Sequence, residues 1–175
     1  MQWLISLGLL TAVLGWLLTV LHRLEHLHGE LSQSWSDWVR RTRRRNAALR
    51  NFVQALRQAL PEGVPAGREL EQLADASDRR LEGSGDDAQG LELRQSERQL
   101  EQTLNDTINA FRNNPQLSAR DELVEHCAEL CLAMSGQARC TRSYNACAAA
   151  YNDALTTPSA RLAAPLLGYR AVQLI

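Results

Sequence analysis

The chain has 175 residues and a formal net charge of -1, and 45% of its residues are hydrophobic while only 5% are aromatic. This length suits one domain with an appendage rather than two independent cores, and the balanced charge argues against nucleic-acid binding, which requires a strongly basic face. Alanine, leucine, arginine, glutamate and glutamine dominate the composition. Because these residues lose little side-chain entropy in a helix, we expect an all-α protein.

The first segment predicts a membrane anchor. Residues 3–21 include no charged side chain, and a helix of that length matches the roughly 30 Å hydrocarbon layer of a bilayer. A cleaved signal peptide would need a basic start and a small-residue cleavage site, and neither is evident. We therefore expect a single transmembrane helix over residues 1–22, which contacts the lipid bilayer through residues 3–21, and a helical domain over residues 23–175.

Arginine placement predicts the orientation of the anchor. Seven arginines and only three acidic residues lie between Arg23 and Arg50, whereas the N-terminal flank offers only its α-amino group. The positive-inside rule therefore predicts an N-terminus outside and a cytoplasmic domain.

Four amphipathic helices are predicted in the domain. Apolar residues recur at spacings of three and four, which is typical of one face of a helix, and proline- and glycine-rich stretches separate the repeats. Such helices bury their apolar faces most simply as an antiparallel four-helix bundle with long first and last helices. The predicted elements are helices over 24–60, 68–81, 91–111 and 118–156, a flexible loop over about 82–90, and short helical or irregular pieces over the tail. The last long helix is expected to begin with a capping box at Ser118 and Asp121.

Several short motifs occur in a fixed order along the domain. They are Trp35 followed by Arg44-Arg45 and Asn51-Phe52-Val53, then Asn114-Pro115-Gln116-Leu117, the repeated Tyr144-Asn145 and Tyr151-Asn152, and finally Pro158-Ser159 and Gly168-Tyr169. In this order and spacing they resemble the LemA family of bacterial membrane-anchored helical proteins. Two departures mark a divergent member: Arg50 replaces the proline of the family, and 136–139 replaces an arginine-rich stretch.

The resemblance implies a non-enzymatic scaffold or interaction protein of the bacterial cell envelope. Its location would be the inner membrane. Its partner would be another protein or a second copy of the chain, and no cofactor would be required.

Polar residues on the apolar faces predict an interior polar network. Thr42 and Arg45 fall on the apolar stripe of the first helix, and an unpaired buried charge is very costly. We expect Arg44 or Arg45 to pair with an acid of the third or fourth helix. Alternatively, the Arg45 guanidinium could extend to solvent at the rim of the bundle. The network is predicted to comprise Arg44, Arg45, Asn51, Tyr144, Asn145, Tyr151 and Asn152.

The motif His22-x-x-Glu25-His26 has the form of a zinc site with a glutamate base. It lies at the predicted headgroup boundary, and no third ligand is evident. We therefore expect neither a catalytic nor a metal site, and a metal-dependent hydrolase that uses His22, Glu25 and His26 is the enzymatic alternative.

The four cysteines are expected to be free thiols. Cys127 and Cys147 would lie about 30 Å apart on one helix, so all four cysteines cannot share a metal ion. Free thiols suit a reducing cytoplasm.

The basic run Arg40–Arg45 leaves three interpretations open: a solvated face, a site for an acidic protein partner, or a contact with anionic lipid. The last corresponds to a peripheral lipid-binding domain.

Overall fold

A computed structural model describes residues 2–60, 65–83, 87–164 and 168–175. Within these ranges the chain is helical or irregular, and they contain no strand, which confirms the all-α prediction. The helices are α1 (Gln2–Ala59), α2 (Pro65–Gly83), α3 (Asp87–Arg112), α4 (Pro115–Ser118), α5 (Asp121–Thr156) and α6 (Pro158–Ala163).

Helix α1 contains both the predicted anchor and the predicted long helix in 58 continuous residues. Its end agrees with the sequence prediction, because proline disfavours helical conformation in the residue before it and Pro61 follows Leu60. The Leu60 amide still donates to the Leu56 carbonyl at 3.0 Å.

The predicted anchor is described in part. Seven of its large side chains are exposed, namely Trp3, Leu7, Leu10, Leu14, Trp16, Leu17 and Leu18. Val20 and Leu21, at its end, are half-buried. Among the described residues, no helix has both the length and the apolar character needed to cross a bilayer. The side chains of Leu4, Ile5, Leu9 and Val13 belong to the predicted anchor and lie outside the described residues. The anchor stays a prediction.

The predicted loop over 82–90 is wrong at both ends. Helix α2 continues to Gly83, and α3 already begins at Asp87. Residues 87–90 include no proline, so their backbone can take helical conformation. Gly90, the one glycine in residues 87–90, lowers helix stability by only about 1 kcal/mol relative to alanine. Residues 84–86 lie outside the described residues.

The predicted capping box at Ser118 is also wrong. Ser118 is the last residue of α4, and α5 begins three residues later at Asp121. The chain makes this extra turn because Asn114 caps α4, where its side chain accepts from the Gln116 amide at 3.0 Å, and Pro115 has the φ angle that a first helical residue needs.

The chain divides into two compact units. The polar-core unit comprises residues 36–142 and Ile175, and the terminal unit comprises residues 1–35 and 143–174. In the polar-core unit, helices α1, α2, α3 and α5 and the short α4 all contribute to one apolar core. Phe52 and Phe111 meet there edge to face, with ring centroids 5.5 Å apart. The fully buried residues of this core include Leu49, Val53, Leu70, Ala74, Leu100, Leu104 and Leu130.

The terminal unit has a smaller core around Leu24, Ala154 and Ala160. The tail after α5 consists of the short α6 and, over 168–175, irregular chain. This agrees with the prediction of short helical or irregular pieces within the described residues.

Candidate functional site

Arg45 of α1 forms a buried ion pair with Glu97 of α3. Arg45 is 2% exposed and Glu97 is 8% exposed. The Arg45 Nη1 donates to Glu97 Oε2 at 2.7 Å, and Nη2 donates to Oε1 at 3.2 Å. Two parallel bonds of this kind fix orientation as well as charge. The arginine on the apolar stripe thus pairs with an acid of the third long helix and does not extend to the rim.

Two further side chains complete the coordination of the Glu97 carboxylate. Gln137 of α5 donates to Oε2 at 2.8 Å, and the Ser77 hydroxyl of α2 donates to Oε1 at 2.7 Å. Gln137 also accepts from Arg45 Nη1 at 2.7 Å through its own oxygen. Each carboxylate oxygen therefore accepts two hydrogen bonds, which offsets the loss of water around a buried charge.

The pKa of Glu97 reflects this arrangement. Burial raises the pKa of the carboxyl, but the charge of Arg45 and the hydrogen bonds from Arg45, Ser77 and Gln137 together outweigh burial and leave the pKa below its ordinary value. Glu97 is therefore ionised at neutral pH.

Asn46 links this ion pair to the surface. Its oxygen accepts from Arg45 Nη2 at 2.7 Å, and its nitrogen donates to Asp78 Oδ1 at 2.7 Å. Asp78 Oδ2 accepts in turn from Arg50 Nη2 at 2.7 Å, on the partly exposed side. We refer to Arg45, Asn46, Ser77, Asp78, Glu97 and Gln137 as the polar cluster. It joins α1, α2, α3 and α5 by directional bonds.

A cavity of about 240 Å³ adjoins the polar cluster within the polar-core unit. Trp38, Leu104 and Met134 form its apolar wall, and Arg98 and Glu101 add charge. The indole of Trp38 donates to the Thr141 hydroxyl at 2.9 Å. The described residues that line the cavity include no histidine or cysteine.

Two of the residues predicted for the interior network lie outside the polar cluster. Arg44 and Asn51 are both exposed. Because successive residues turn by about 100° around a helix, the neighbour of a buried Arg45 points elsewhere.

The other four predicted residues lie in the terminal unit. Tyr144 is buried, and its hydroxyl donates to the Gln173 carbonyl at 3.3 Å. Burial raises the pKa of its phenol. Tyr151 is buried beside His28, with ring centroids 5.9 Å apart, and Asn145 is half-buried.

Asn152 fastens the tail. Its side-chain nitrogen donates to the Val172 carbonyl at 2.8 Å, and its oxygen accepts from the Val172 amide at 2.9 Å. The carboxamide thus pairs with the backbone as another peptide group would. Asn152 was predicted to join an interior polar network, whereas in the structure it binds the backbone of the final residues.

Five residues of the polar cluster were not predicted from the sequence, namely Asn46, Ser77, Asp78, Glu97 and Gln137. Several carried a readable signal, since Asn46 precedes buried Leu49 by three residues, Ser77 follows buried Ala74 by three and Glu97 precedes buried Leu100 by three. A polar residue on an apolar stripe is the same signal that identified Arg45. Gln137 carried the same signal, since it lies two helical turns after buried Leu130.

The predicted alternative metal motif does not converge on a site. His22 and Glu25 are exposed, and His26 lies 3.7 Å from Glu30, also at the surface. Among the described residues no three histidine, cysteine or acidic side chains are grouped to hold a metal ion.

The four cysteines are free, as expected. Burial, together with the neighbouring Cys131, raises the pKa of the Cys127 thiol. A thiol with a raised pKa is a poor nucleophile at neutral pH.

Comparisons with models of protein families, with functionally characterised proteins and with solved structures gave no match to this chain. Its resemblance to the LemA family therefore depends on the motifs given above. A functional assignment has to come from its own residues.

Proposed function

We propose that this protein is a membrane-anchored, non-enzymatic helical scaffold of the bacterial inner membrane and a divergent member of the LemA family. The observation that carries the proposal is the change in surface character along α1. Trp3 is 89% exposed, whereas Leu24, three turns beyond Leu14, is 1% exposed. The start of the helix offers apolar surface to its surroundings, and the continuation buries its apolar residues.

The exposed apolar surface of the first turns is not a single stripe. Trp16 and Leu18 are both exposed. Because they are two residues apart, they point about 160° apart around the helix axis. A helix that is apolar on opposite faces is one that membranes or large cores surround. This supports a lipid environment for residues 3–21.

The described hydroxyl groups of this segment donate hydrogen bonds to backbone carbonyls of their own helix. Thr11 donates to the Gly8 carbonyl at 2.9 Å, and Thr19 donates to the Gly15 carbonyl at 2.9 Å. In a bilayer core no water is available, so polar groups must bond within the helix. These bonds are compatible with the membrane anchor, and the same kind of bond occurs at Thr103 and Thr107 of α3.

For the domain we propose an antiparallel four-helix bundle. Side-chain pairs between α1 and α2 join Asn46 to Asp78 and Arg57 to Glu71, so the two helices run in opposite directions. Pairs between α3 and α5 join Glu97 to Gln137 and Arg112 to Cys131, again in opposite order. Both patterns support the bundle.

The polar cluster favours a structural role over an enzymatic one. Its charged groups are satisfied by one another, whereas a catalytic base or nucleophile needs a group left available to substrate. Directional bonds among four helices instead fix their register. No observation favours the hydrolase built on His22, Glu25 and His26.

The scaffold role is tested by the composition of the complex that forms around the full chain. We expect the protein, solubilised in mild detergent, to elute in light-scattering chromatography as an oligomer or with a stoichiometric partner. A strict monomer in several detergents, with no cross-linked product in cells, would contradict the scaffold.

The orientation is tested by thiol labelling. In a full-length variant whose four cysteines are alanine, Ala119→Cys places an exposed thiol between α4 and α5. A membrane-impermeant maleimide is expected to label it only after the inner membrane is opened. Labelling in intact spheroplasts would place the domain outside.

A further inference from the structure

A second concave site lies in the polar-core unit between α1 and α5. Its volume is about 200 Å³. We call it the arginine groove, and its main lining residues are Arg41, Arg44, Glu129, Leu132, Gly136 and Arg139. Arg41 and Arg44 belong to the basic run Arg40–Arg45 described above, whereas no site was predicted from the sequence for the other lining residues. The polar cluster uses none of the residues of the groove.

Helical spacing brings the lining residues together. Arg41 and Arg44 are three residues apart on α1, so they share a face. On α5, the lining residues 129, 132, 133, 136 and 139 follow the same spacing of three and four. The groove is thus built on two regular helices, which hold functional groups more firmly than loops do.

Gly136 keeps the floor of the groove open. It is buried, and a Cβ at this position would lie 3.8 Å from Arg41 Nη1. The Arg41 guanidinium therefore lies over the glycine. A larger side chain at Gly136 would occupy the space in which a ligand could meet that guanidinium.

The groove carries an unbalanced positive charge. Three guanidinium groups line it against one carboxylate, that of Glu129. Within the described part of the chain, no ion pair involves Arg41, Arg44 or Arg139. Like charges gathered in a concave site raise the local concentration of anions.

We propose that the arginine groove binds the phosphoryl group of a small soluble phosphate ester. The planar guanidinium matches the oxygen spacing of phosphate and binds it through two parallel hydrogen bonds. Several arginines around one tetrahedral anion use that geometry best. The volume is adequate for a phosphoryl group with a short carbon portion, and it is too small for a docked helix.

An apolar surface beside the arginines fits the carbon portion of such an ester. Leu132 is 74% exposed, and Ala133 lines the groove next to it. The site therefore combines an anion-binding part with a small apolar part. This binding does not depend on the membrane anchor, so its failure would leave the scaffold proposal unaffected.

The test uses the full chain in phosphatidylcholine nanodiscs, with pyrophosphate as the probe and calorimetry as the readout. We expect saturable binding that weakens as salt increases. Arg44→Gln and Arg139→Gln should each weaken it about tenfold, the usual effect of losing one charge-assisted bond. Gly136→Leu should abolish binding without a change in charge.

Arg43→Gln is the matched control. Arg43 is exposed on the same helix and does not line the groove. Its removal changes the net charge equally and should leave affinity within twofold. Equal losses for Arg43→Gln and Arg44→Gln, or no saturable binding by wild-type protein, would overturn the proposal. Circular dichroism establishes that each variant is folded.

Two further binding experiments distinguish a soluble phosphate ester from a carboxylate ligand and from a lipid headgroup. Succinate should bind more weakly than pyrophosphate, and equal or tighter binding would indicate a carboxylate ligand such as an acidic protein segment. Nanodiscs that contain phosphatidylglycerol should leave pyrophosphate affinity unchanged at constant salt. Loss of affinity there would show that lipid headgroups occupy the groove and would overturn a soluble ligand.

Discussion

Glu97 is the residue on which the polar cluster depends most. Its carboxylate accepts four hydrogen bonds from three side chains on α1, α2 and α5. A buried ion pair adds little net stability compared with an apolar pair, but removal of one partner leaves the other charge buried without a counter-charge. The cluster therefore stabilises one arrangement of the helices over others.

Glu97→Ala is expected to lower the free energy of unfolding by about 3 kcal/mol, because it leaves Arg45 buried without its counter-charge. Urea unfolding of the full chain in mild detergent, followed by circular dichroism, measures this. The matched control is Arg50→Ala, whose partners Asp75 and Asp78 are partly exposed, so its cost should be about 1 kcal/mol or less. Equal costs for the two variants would refute the importance of the buried pair.

Protonation of Glu97 should reproduce part of that loss. The pKa of Glu97 is lowered in the folded protein, so the unfolded chain binds the proton more readily and stability rises with pH in this window. The contribution of Glu97 should be fully present above the ordinary glutamate pKa of about 4.3 and decline as pH falls below it. The pH profiles of wild type and Glu97→Gln should therefore converge toward acid. Parallel profiles would show that Glu97 does not titrate below its ordinary range.

At the scale of elements, helix α5 and the tail are joined through Asn152. Both polar atoms of its carboxamide bond to the backbone of Val172, and the Tyr144 hydroxyl bonds to the next carbonyl, that of Gln173. Because the backbone groups of an irregular segment have no partners within a helix or strand, these side chains supply the hydrogen bonds instead.

Asn152→Ala should release the tail without unfolding α5. We expect faster hydrogen exchange at the Val172 amide and little change in the core amides of the polar-core unit, because the opening is local. Asp153→Ala is the control, since Asp153 is exposed on the same turn. Unchanged exchange at Val172 in the Asn152 variant would show that the pairing does not hold the tail.

Periodicity and breakers predicted most of the helices. The apolar stripe, together with Pro61, located the end of α1, and the end of α5 at Thr156 agrees with the sequence prediction. The helix boundaries were predicted wrongly where a local sequence signal opposes the overall pattern. Asn114 and Pro115 start a separate short helix ahead of α5. Helix α3 begins at Asp87, inside a stretch whose composition is typical of a loop.

The candidate site was predictable in part for a physical reason. Arg45 lies on an apolar stripe, and a buried charge demands a partner, so the pair could be expected. Which acid supplies it depends on how α3 packs against α1, and that information is tertiary. The groove around Gly136 was not predictable, because a glycine within a helix does not indicate what lies over it.

At the scale of the whole molecule, we propose that the start of α1 faces lipid and that the rest of the chain is a helical scaffold. Leu10 and Leu14 are exposed near the middle of the proposed anchor. An arginine at the centre of a membrane helix costs about 3 kcal/mol. The double variant Leu10→Arg, Leu14→Arg should therefore shift the protein from the membrane to the soluble fraction of cells.

The control for this variant carries the same added charge elsewhere. Val124 and Leu132 are exposed on α5, and Val124→Arg with Leu132→Arg should leave the protein in the membrane fraction. Equal release of both double variants would indicate that charge alone, and not the first turns of α1, decides localisation.

The most direct measurement is alkaline carbonate extraction of membranes from cells that express the full-length chain. Carbonate removes proteins held at the surface by charge and leaves those embedded in the hydrocarbon layer. We predict that the wild-type protein stays in the pellet and is released only by detergent. Recovery of the protein in the carbonate supernatant would contradict the anchor and, with it, the proposed scaffold.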